Sequence, residues 1–153
     1  MNLAQMPPTA AEADCGSSDI ATVDFEFVGR HMMASYVGCD PDALRDFDAL
    51  EMAMQQAVEA SGATLLTSAR HVFPPDGLTI VMLLSESHAS IHTYPEHNSC
   101  FVDLFTCGLD CRAEEFDAML RDYLRPAESN ATTWIRHSGI QHDRFHRRNR
   151  TAV

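Results

Sequence analysis

Residues 78–107, LTIVMLLSESHASIHTYPEHNSCFVDLFTC, decide the fold, because short apolar runs alternate here with turn-forming residues. Runs rich in β-branched and aromatic side chains, bounded by Pro, Gly, Asn or Asp, are typical of strands. Together with the residues before it, this stretch predicts four strands, and two of the turns between them lie at 74–77 and 94–98. The predicted strands cover residues 63–73, 78–85, 87–93 and 99–107.

A helix is predicted on either side of these strands. Asp40 begins the first helix as an N-cap with Pro41 in its first turn, and Gly62 ends it. Asp110 is expected to cap the second helix, which ends before Pro126. Both helices carry apolar side chains at helical spacing. These stripes consist of Leu44, Phe47, Leu50, Met54 and Val58 in the first helix and Phe116, Met119, Leu120 and Tyr123 in the second.

Two further strands complete the prediction, one within 23–37 that is interrupted at 29–31, and one at 131–137. A series of strands with a helix near each end predicts an α+β fold, in which a mainly antiparallel sheet carries helices on one face. The expected architecture is therefore a two-layer α/β sandwich. The second face of its sheet would need cover, and a homodimer is one way to provide it.

The length of 153 residues predicts one domain, placed at residues 22–138. Residues 1–21, rich in Ala, Pro, Ser and Asp, are expected to form a disordered extension, and residues 139–153 an arginine-rich tail. The longest aliphatic run covers residues 80–84 and is far too short to span a membrane. The N-terminus has no basic region followed by an apolar stretch, so a cytoplasmic location is expected.

Charge and composition narrow the possible functions. The chain has 11 basic and 22 acidic residues, and the resulting net charge of −11 disfavours a nucleic acid partner. All 11 basic residues are arginine. A pyridoxal-phosphate enzyme holds its cofactor through a lysine, and a P-loop needs its phosphate-binding lysine, so both classes are excluded. The five cysteines are expected to be reduced, and because none forms a C-x-x-C pair, no metal site is predicted.

Ser87, His92 and Cys107 are candidates for chemistry. A hairpin centred on His97 places Ser87 directly opposite Cys107, with Cβ atoms about 5 Å apart. His92 follows Ser87 by five residues, which places it on the opposite face of a regular strand and roughly 16 Å away. Considered singly, each has an ordinary structural explanation, as a surface serine, a hydrogen-bonded histidine or a buried cysteine. The pattern alone therefore leaves their roles open.

Four short motifs occur together at fixed spacing in the central part of the chain. They are Glu86-Ser87-His88, Ile91-His92-Thr93, Pro95-Glu96, and Asp103 with Phe105-Thr106-Cys107-Gly108. At these spacings they closely resemble the prokaryotic S-adenosylmethionine decarboxylase proenzymes. Residues 29–31 (GRH) and 62–64 (GAT) also resemble that family, and the similarity covers about residues 25–125.

The resemblance implies a self-cleaving, pyruvoyl-dependent decarboxylase. In that family the serine after the glutamate attacks the preceding carbonyl, so the backbone would be cut between Glu86 and Ser87. The products would be chains 1–86 and 87–153. Ser87 would become the pyruvoyl group, which is the cofactor. Such a ketone serves as the electron sink that a lysine-bound cofactor supplies in other amino acid decarboxylases.

The same resemblance implies roles for five further residues. His92 corresponds to the proton acceptor during processing, and Cys107 to the proton donor for the substrate carbon. Thr79 stands where many relatives have a serine that helps processing. Phe73 resembles the residue that stacks on adenine from the neighbouring subunit, and Glu96 resembles the one that binds the ribose hydroxyls.

S-adenosylmethionine is therefore the expected substrate, and its decarboxylated product would donate aminopropyl groups for spermidine synthesis. Some relatives decarboxylate ornithine or arginine instead and share the processing residues, so these substrates are the first alternative. An unprocessed, non-catalytic paralogue is the second alternative. Because similar relatives assemble from two cleaved protomers with active sites at the subunit boundary, a homodimer of cleaved protomers is implied.

Overall fold

The computed structural model describes residues 28–107 and 110–137, which form one sheet with helices packed against it. The elements are β1 (Val28–Val37), α1 (Pro41–Arg45), α2 (Phe47–Ala60), β2 (Leu65–Phe73), β3 (Gly77–Leu84), β4 (Ser87–Tyr94), a short 3-10 turn (Pro95–His97), β5 (Ser99–Thr106), α3 (Ala113–Leu124) and β6 (Glu128–His137). The six strands are antiparallel and lie in the order β2-β3-β4-β5-β1-β6. None of the described helices is long and apolar enough to cross a membrane. The predicted extension 1–21 and tail 139–153 lie outside the described residues.

The core lies between one face of the sheet and the helices. Side chains alternate across a strand, so every second residue of β1, β3, β4 and β5 points toward the helices. There these residues meet the apolar stripes of α2 and α3, and full burial of each large side chain contributes about 1.5–3 kcal/mol. The predicted two-layer sandwich with an antiparallel sheet is confirmed. Large, fully buried side chains include Tyr36, Leu50, Met54, Ile80, Met82, Ile91, Leu104, Phe116 and Leu120.

We call the opposite side of the sheet the open face. It is formed by the strand residues that alternate with the core positions, such as Val81 in β3 and Phe101 in β5. Apolar side chains that remain exposed on this face are Met33 (38%), Val81 (47%), Leu83 (51%), Phe101 (53%) and Trp134 (45%). A set of large apolar side chains exposed on one face is typical of an interaction surface.

The first predicted helix is divided into α1 and α2, which corrects the expectation of one helix from Asp40 to Gly62. Asp46 separates them, because its backbone is not helical and its carboxylate accepts a 3.0 Å hydrogen bond from the Ala49 amide. An aspartate that caps a new helix competes with continuation of the preceding one. Asp40 caps α1 as predicted, through a 3.0 Å hydrogen bond from the Asp42 amide.

Two other predictions are wrong. Arg112, rather than Asp110, precedes the first turn of α3, and it makes no side-chain capping bond; acidic residues in that turn favour the helix electrostatically. The strand β1 is not interrupted at 29–31, because it continues to pair with β6 through this stretch. Glycine suits position 29 because the Phe105 ring occupies the space that a Cβ atom would need.

Tyr36 links the sheet to the helix layer. Its side chain is fully buried, and its hydroxyl donates a 2.6 Å hydrogen bond to the Asp117 carboxylate of α3. Burial, reinforced by this carboxylate, raises the pKa of Tyr36 well above its usual range. The phenol therefore keeps its proton at neutral pH and remains the hydrogen-bond donor to Asp117.

We expect Tyr36→Phe to lower the free energy of unfolding by about 1.5–3 kcal/mol, because it removes a buried hydrogen bond to a charged acceptor. Tyr123→Phe is a matched control, since its hydroxyl donates to the uncharged Ala43 carbonyl at 3.2 Å; its loss should cost about 1 kcal/mol. Urea denaturation, in chains that carry Ser87→Ala so that the backbone stays intact, measures both changes. Equal losses would contradict the importance of the Asp117 contact.

Candidate functional site

The connection between β3 and β4 consists of Ser85 and Glu86, and Thr64 holds both of them. The Thr64 amide donates a 2.9 Å hydrogen bond to the side-chain carboxylate of Glu86. The Ser85 amide donates to the Thr64 carbonyl, also at 2.9 Å. The peptide that joins Glu86 to Ser87 is therefore fixed in position by the residue that precedes β2.

The backbone carbonyl of Glu86 is held from β5. It accepts a 3.0 Å hydrogen bond from the Cys107 amide, which continues the pairing of β4 with β5. A donor aimed at a carbonyl oxygen favours the negative charge that develops there when the carbon is attacked. The peptide after residue 86 is thus both positioned and polarised.

Cys107 lies beside the Glu86 carbonyl because the register of β4 against β5 differs by one residue from the predicted register. Ser87 pairs with Thr106, not with Cys107. The predicted hairpin centre is wrong because the turn consists of four residues, 95–98, and so has no central residue. Cys107 consequently lies beside Glu86, the residue before β4, and not beside Ser87 as expected.

Ser87 begins β4 in an unusual backbone conformation. Its φ of 157° lies in a region that residues other than glycine seldom adopt. Its hydroxyl lies 3.0 Å from Nδ1 of the next residue, His88. In the sequence, His88 is notable only as a member of the Glu86-Ser87-His88 motif. The serine that follows the polarised carbonyl thus has an imidazole as its hydrogen-bond partner.

A second group on the open face, which we call the His92 cluster, comprises Thr79, His92, Phe73 and Tyr94. The Thr79 hydroxyl is hydrogen-bonded to Nδ1 of His92, its partner across β3 and β4. The rings of Phe73 and Tyr94 contact the imidazole edge-on, with centroids 5.7 and 4.6 Å away. The structure therefore brings together three residues that the sequence had singled out, namely Phe73, Thr79 and His92.

Ser87 and His92 belong to separate groups. They lie five positions apart along β4, which corresponds to roughly 16 Å, and each is hydrogen-bonded to a different side chain. Glu96 is exposed in the turn after β4, at the same end of the strand as the His92 cluster. The candidate residues thus form one group around Ser87 and Cys107 and another around His92.

Phe105 forms a platform beside Cys107. A Cβ atom on Gly29 would stand 2.5 Å from the Phe105 ring and 3.8 Å from the Cys107 sulfur, so both side chains border this glycine. His31 and His88 each contact the Phe105 ring, with centroids 5.6 Å apart in both cases. In the sequence, the GRH motif at 29–31 and the motifs that contain His88, Phe105 and Cys107 all contribute residues to this region.

Charged side chains surround the platform. The Arg136 guanidinium lies 4.7 Å above the centre of the Phe105 ring, a favourable cation–π position. The Asp103 carboxylate lies 3.4 Å from Nε2 of His31 and accepts a 3.4 Å hydrogen bond from Ser90. Within residues 28–107 and 110–137, no group of three side chains is arranged to hold a metal ion. A cleft of about 360 Å³ lies among the helices, and none of the candidate residues lines it.

Comparison with known proteins connects this chain to one family. Residues 30–137 match the family model described as S-adenosylmethionine decarboxylase. An S-adenosylmethionine decarboxylase proenzyme from Fervidobacterium nodosum is 47% identical over 81 residues, which cover 53% of this chain and 59% of that protein. The corresponding proenzyme from Parasynechococcus marenigrum is 45% identical over 98 residues, which cover 64% of this chain and 77% of that protein. The chain thus spans about three fifths of the length of the first of these relatives.

A solved structure is also similar. The crystal structure of the adenosylmethionine decarboxylase from Aquifex aeolicus superimposes with a TM-score of 0.65 at 30% sequence identity. The superposition covers 80% of this chain and 99% of that one.

Proposed function

The chain belongs to the S-adenosylmethionine decarboxylase family, and we propose that it decarboxylates S-adenosylmethionine with a pyruvoyl cofactor that it makes from its own backbone. In this proposal the chain cuts itself between Glu86 and Ser87. The observation that carries it is the Glu86 carbonyl, which accepts the Cys107 amide hydrogen at 3.0 Å and directly precedes a serine.

The residues around this peptide fit a cofactor formed from Ser87. The carbonyl to be attacked is polarised, the attacking hydroxyl belongs to the next residue, and Thr64 fixes the connection. The uncommon φ of Ser87 destabilises the intact peptide relative to the cleaved product, in which residue 87 no longer has to adopt this backbone conformation. A pyruvoyl ketone supplies the electron sink that amino acid decarboxylation requires.

Cys107 serves two steps with two different groups. Its backbone amide holds the Glu86 carbonyl during self-cleavage. Its thiol is free and exposed next to the same peptide, and it donates the proton that replaces carbon dioxide on the substrate carbon. Processing therefore depends on the backbone of residue 107, and turnover depends on its side chain.

We also propose a homodimer of cleaved protomers in which two open faces pack together. The large apolar side chains exposed on that face favour such an interface. The His92 cluster, roughly 16 Å along β4 from Ser87, is too distant to act on the serine of its own chain. A two-fold interface is self-complementary, so it can set the His92 cluster of one subunit against Ser87 of the other. His92 of the partner subunit then accepts the proton during processing.

Phe73 and Glu96 belong to the same end of the sheet and are assigned to substrate recognition. The Phe73 ring is 42% exposed and can stack on adenine. The exposed Glu96 carboxylate can accept hydrogen bonds from the ribose hydroxyls. Ornithine and arginine contain neither an adenine nor a ribose, so these two residues favour S-adenosylmethionine.

A cytoplasmic enzyme without a nucleic acid or membrane partner completes the proposal. The four described cysteines are free thiols, which suits a reducing compartment. The net charge of −11 would repel a polyanion.

Carbon dioxide release from S-adenosylmethionine, ornithine and arginine tests the substrate assignment. We expect release from S-adenosylmethionine alone. Phe73→Ala should raise the KM of the cleaved enzyme about three- to tenfold, because it removes an aromatic stacking contact with the substrate. Val72→Ala, the neighbour on the other face of β2, should leave KM unchanged. Faster release from ornithine or arginine would overturn the substrate assignment.

Mixed dimers test the shared site. Ser87→Ala chains keep His92 but cannot be cut, and His92→Ala chains keep Ser87 but should stall alone. When the two are co-expressed and purified together, we expect the His92→Ala chains to be cleaved, because the other subunit supplies the histidine. Two tags of different size distinguish the chains on a denaturing gel. Failure of the His92→Ala chain to be cut in the mixed dimer would show that His92 acts within its own chain.

A further inference from the structure

We propose that His88 is the base that takes the proton from the Ser87 hydroxyl in the first step of self-cleavage. This inference rests on the proposed function and adds a residue to it. It separates the two histidines in time, so that His88 starts the reaction within its own chain and His92 acts later.

The contact between nucleophile and base is present in the intact chain. Oγ of Ser87 lies 3.0 Å from Nδ1 of His88, within the distance that proton transfer needs. His92 is not in this position, because its Nδ1 is bonded to Thr79. A serine hydroxyl is a weak nucleophile at neutral pH unless such a base takes its proton. His88 is therefore in a position to activate Ser87.

The His88 ring is also held in place. It leans against Phe105 with ring centroids 5.6 Å apart and an angle of 50° between the planes. Phe105 in turn lies over Gly29, where even a Cβ atom would come within 2.5 Å of its ring. The glycine thus lets β1 support the aromatic side chain that orients the imidazole.

The electrophile completes the arrangement. The Cys107 amide donates to the Glu86 carbonyl oxygen at 3.0 Å, so negative charge on that oxygen is stabilised when Ser87 attacks the carbon. Nucleophile, base and oxygen donor thus surround one peptide. The groups come from three consecutive residues, 86–88, at the start of β4 and from residue 107, which directly follows β5.

The chemical step is balanced without any other reactant. Oγ of Ser87 bonds to the Glu86 carbonyl carbon while Nδ1 of His88 takes the hydroxyl proton. The carbon–nitrogen bond then breaks, and the Ser87 nitrogen receives that proton from His88. The product is an ester between residues 86 and 87 with a free amine. For this transfer the neutral imidazole carries its hydrogen on Nε2.

His92 belongs to the next step. Removal of the Ser87 α-hydrogen breaks the Cβ–Oγ bond and frees the Glu86 carboxylate. Addition of water then releases ammonia and leaves the ketone at residue 87. The ester is the intermediate between the two steps, so its accumulation tells which histidine has been lost.

The experiment compares His88→Ala, His88→Asn and His92→Ala in the full-length chain, with His97→Ala as a control in an exposed turn. Asparagine can still hydrogen-bond the Ser87 hydroxyl but cannot serve as its base. Cleavage is followed by denaturing mass spectrometry, with and without hydroxylamine, which cuts an ester far faster than an amide. Free imidazole is added to the His88→Ala chain to replace the missing base.

Both His88 variants should cleave about 10²–10⁴ times more slowly, without hydroxylamine-sensitive ester, because a general base contributes about that factor. Imidazole should restore part of the rate in His88→Ala. His92→Ala should accumulate ester that hydroxylamine cuts, and His97→Ala should behave as the unmodified chain does. Native cleavage in His88→Asn, or ester accumulation in either His88 variant, would overturn the inference. If the unmodified chain itself stayed whole, the proposed function would fail instead.

Discussion

The hydrogen bond from the Cys107 amide to the Glu86 carbonyl, 3.0 Å long, is the contact on which the proposed chemistry depends. It exists because β4 and β5 pair in a register that places residue 107 beside residue 86. That register is maintained by the buried side chains of both strands, since a slip of one residue would turn them toward solvent. The core of the sandwich thus sets the geometry of the peptide between Glu86 and Ser87, at the end of the β4–β5 pairing.

The remaining groups lie on the sheet, whose open face is not covered by any helix within residues 28–107 and 110–137. The group around Ser87 and the His92 cluster lie on the same sheet but are separated along β4, and neither is a complete site. In the homodimer proposed above, a second copy of the chain would cover the exposed apolar residues and bring the two groups together. That proposal gives the open face a role in catalysis as well as in the burial of apolar surface.

Much of the fold could be predicted from the sequence, because the strands and apolar helix stripes have strong local patterns. The break at Asp46 was missed, since a capping aspartate within an otherwise helical stripe does not alter the apolar spacing. The register was missed by one residue because it depends on the number of residues in the turn and on the left-handed conformation of Asn98. The Phe105–Gly29 contact joins distant parts of the chain and leaves no local signal. His88 was overlooked because a histidine next to a serine is common and implies no contact.

The mass of the freshly purified, catalytically competent protein under denaturing conditions tests the central claim most directly. Self-cleavage predicts two chains, residues 1–86 with an ordinary carboxylate and residues 87–153 lighter by one ammonia than the same fragment headed by serine. The second chain should also react with a carbonyl reagent and lack a free α-amine. A single intact chain of 153 residues with an unmodified serine at position 87, in protein that releases carbon dioxide at full rate, would contradict it.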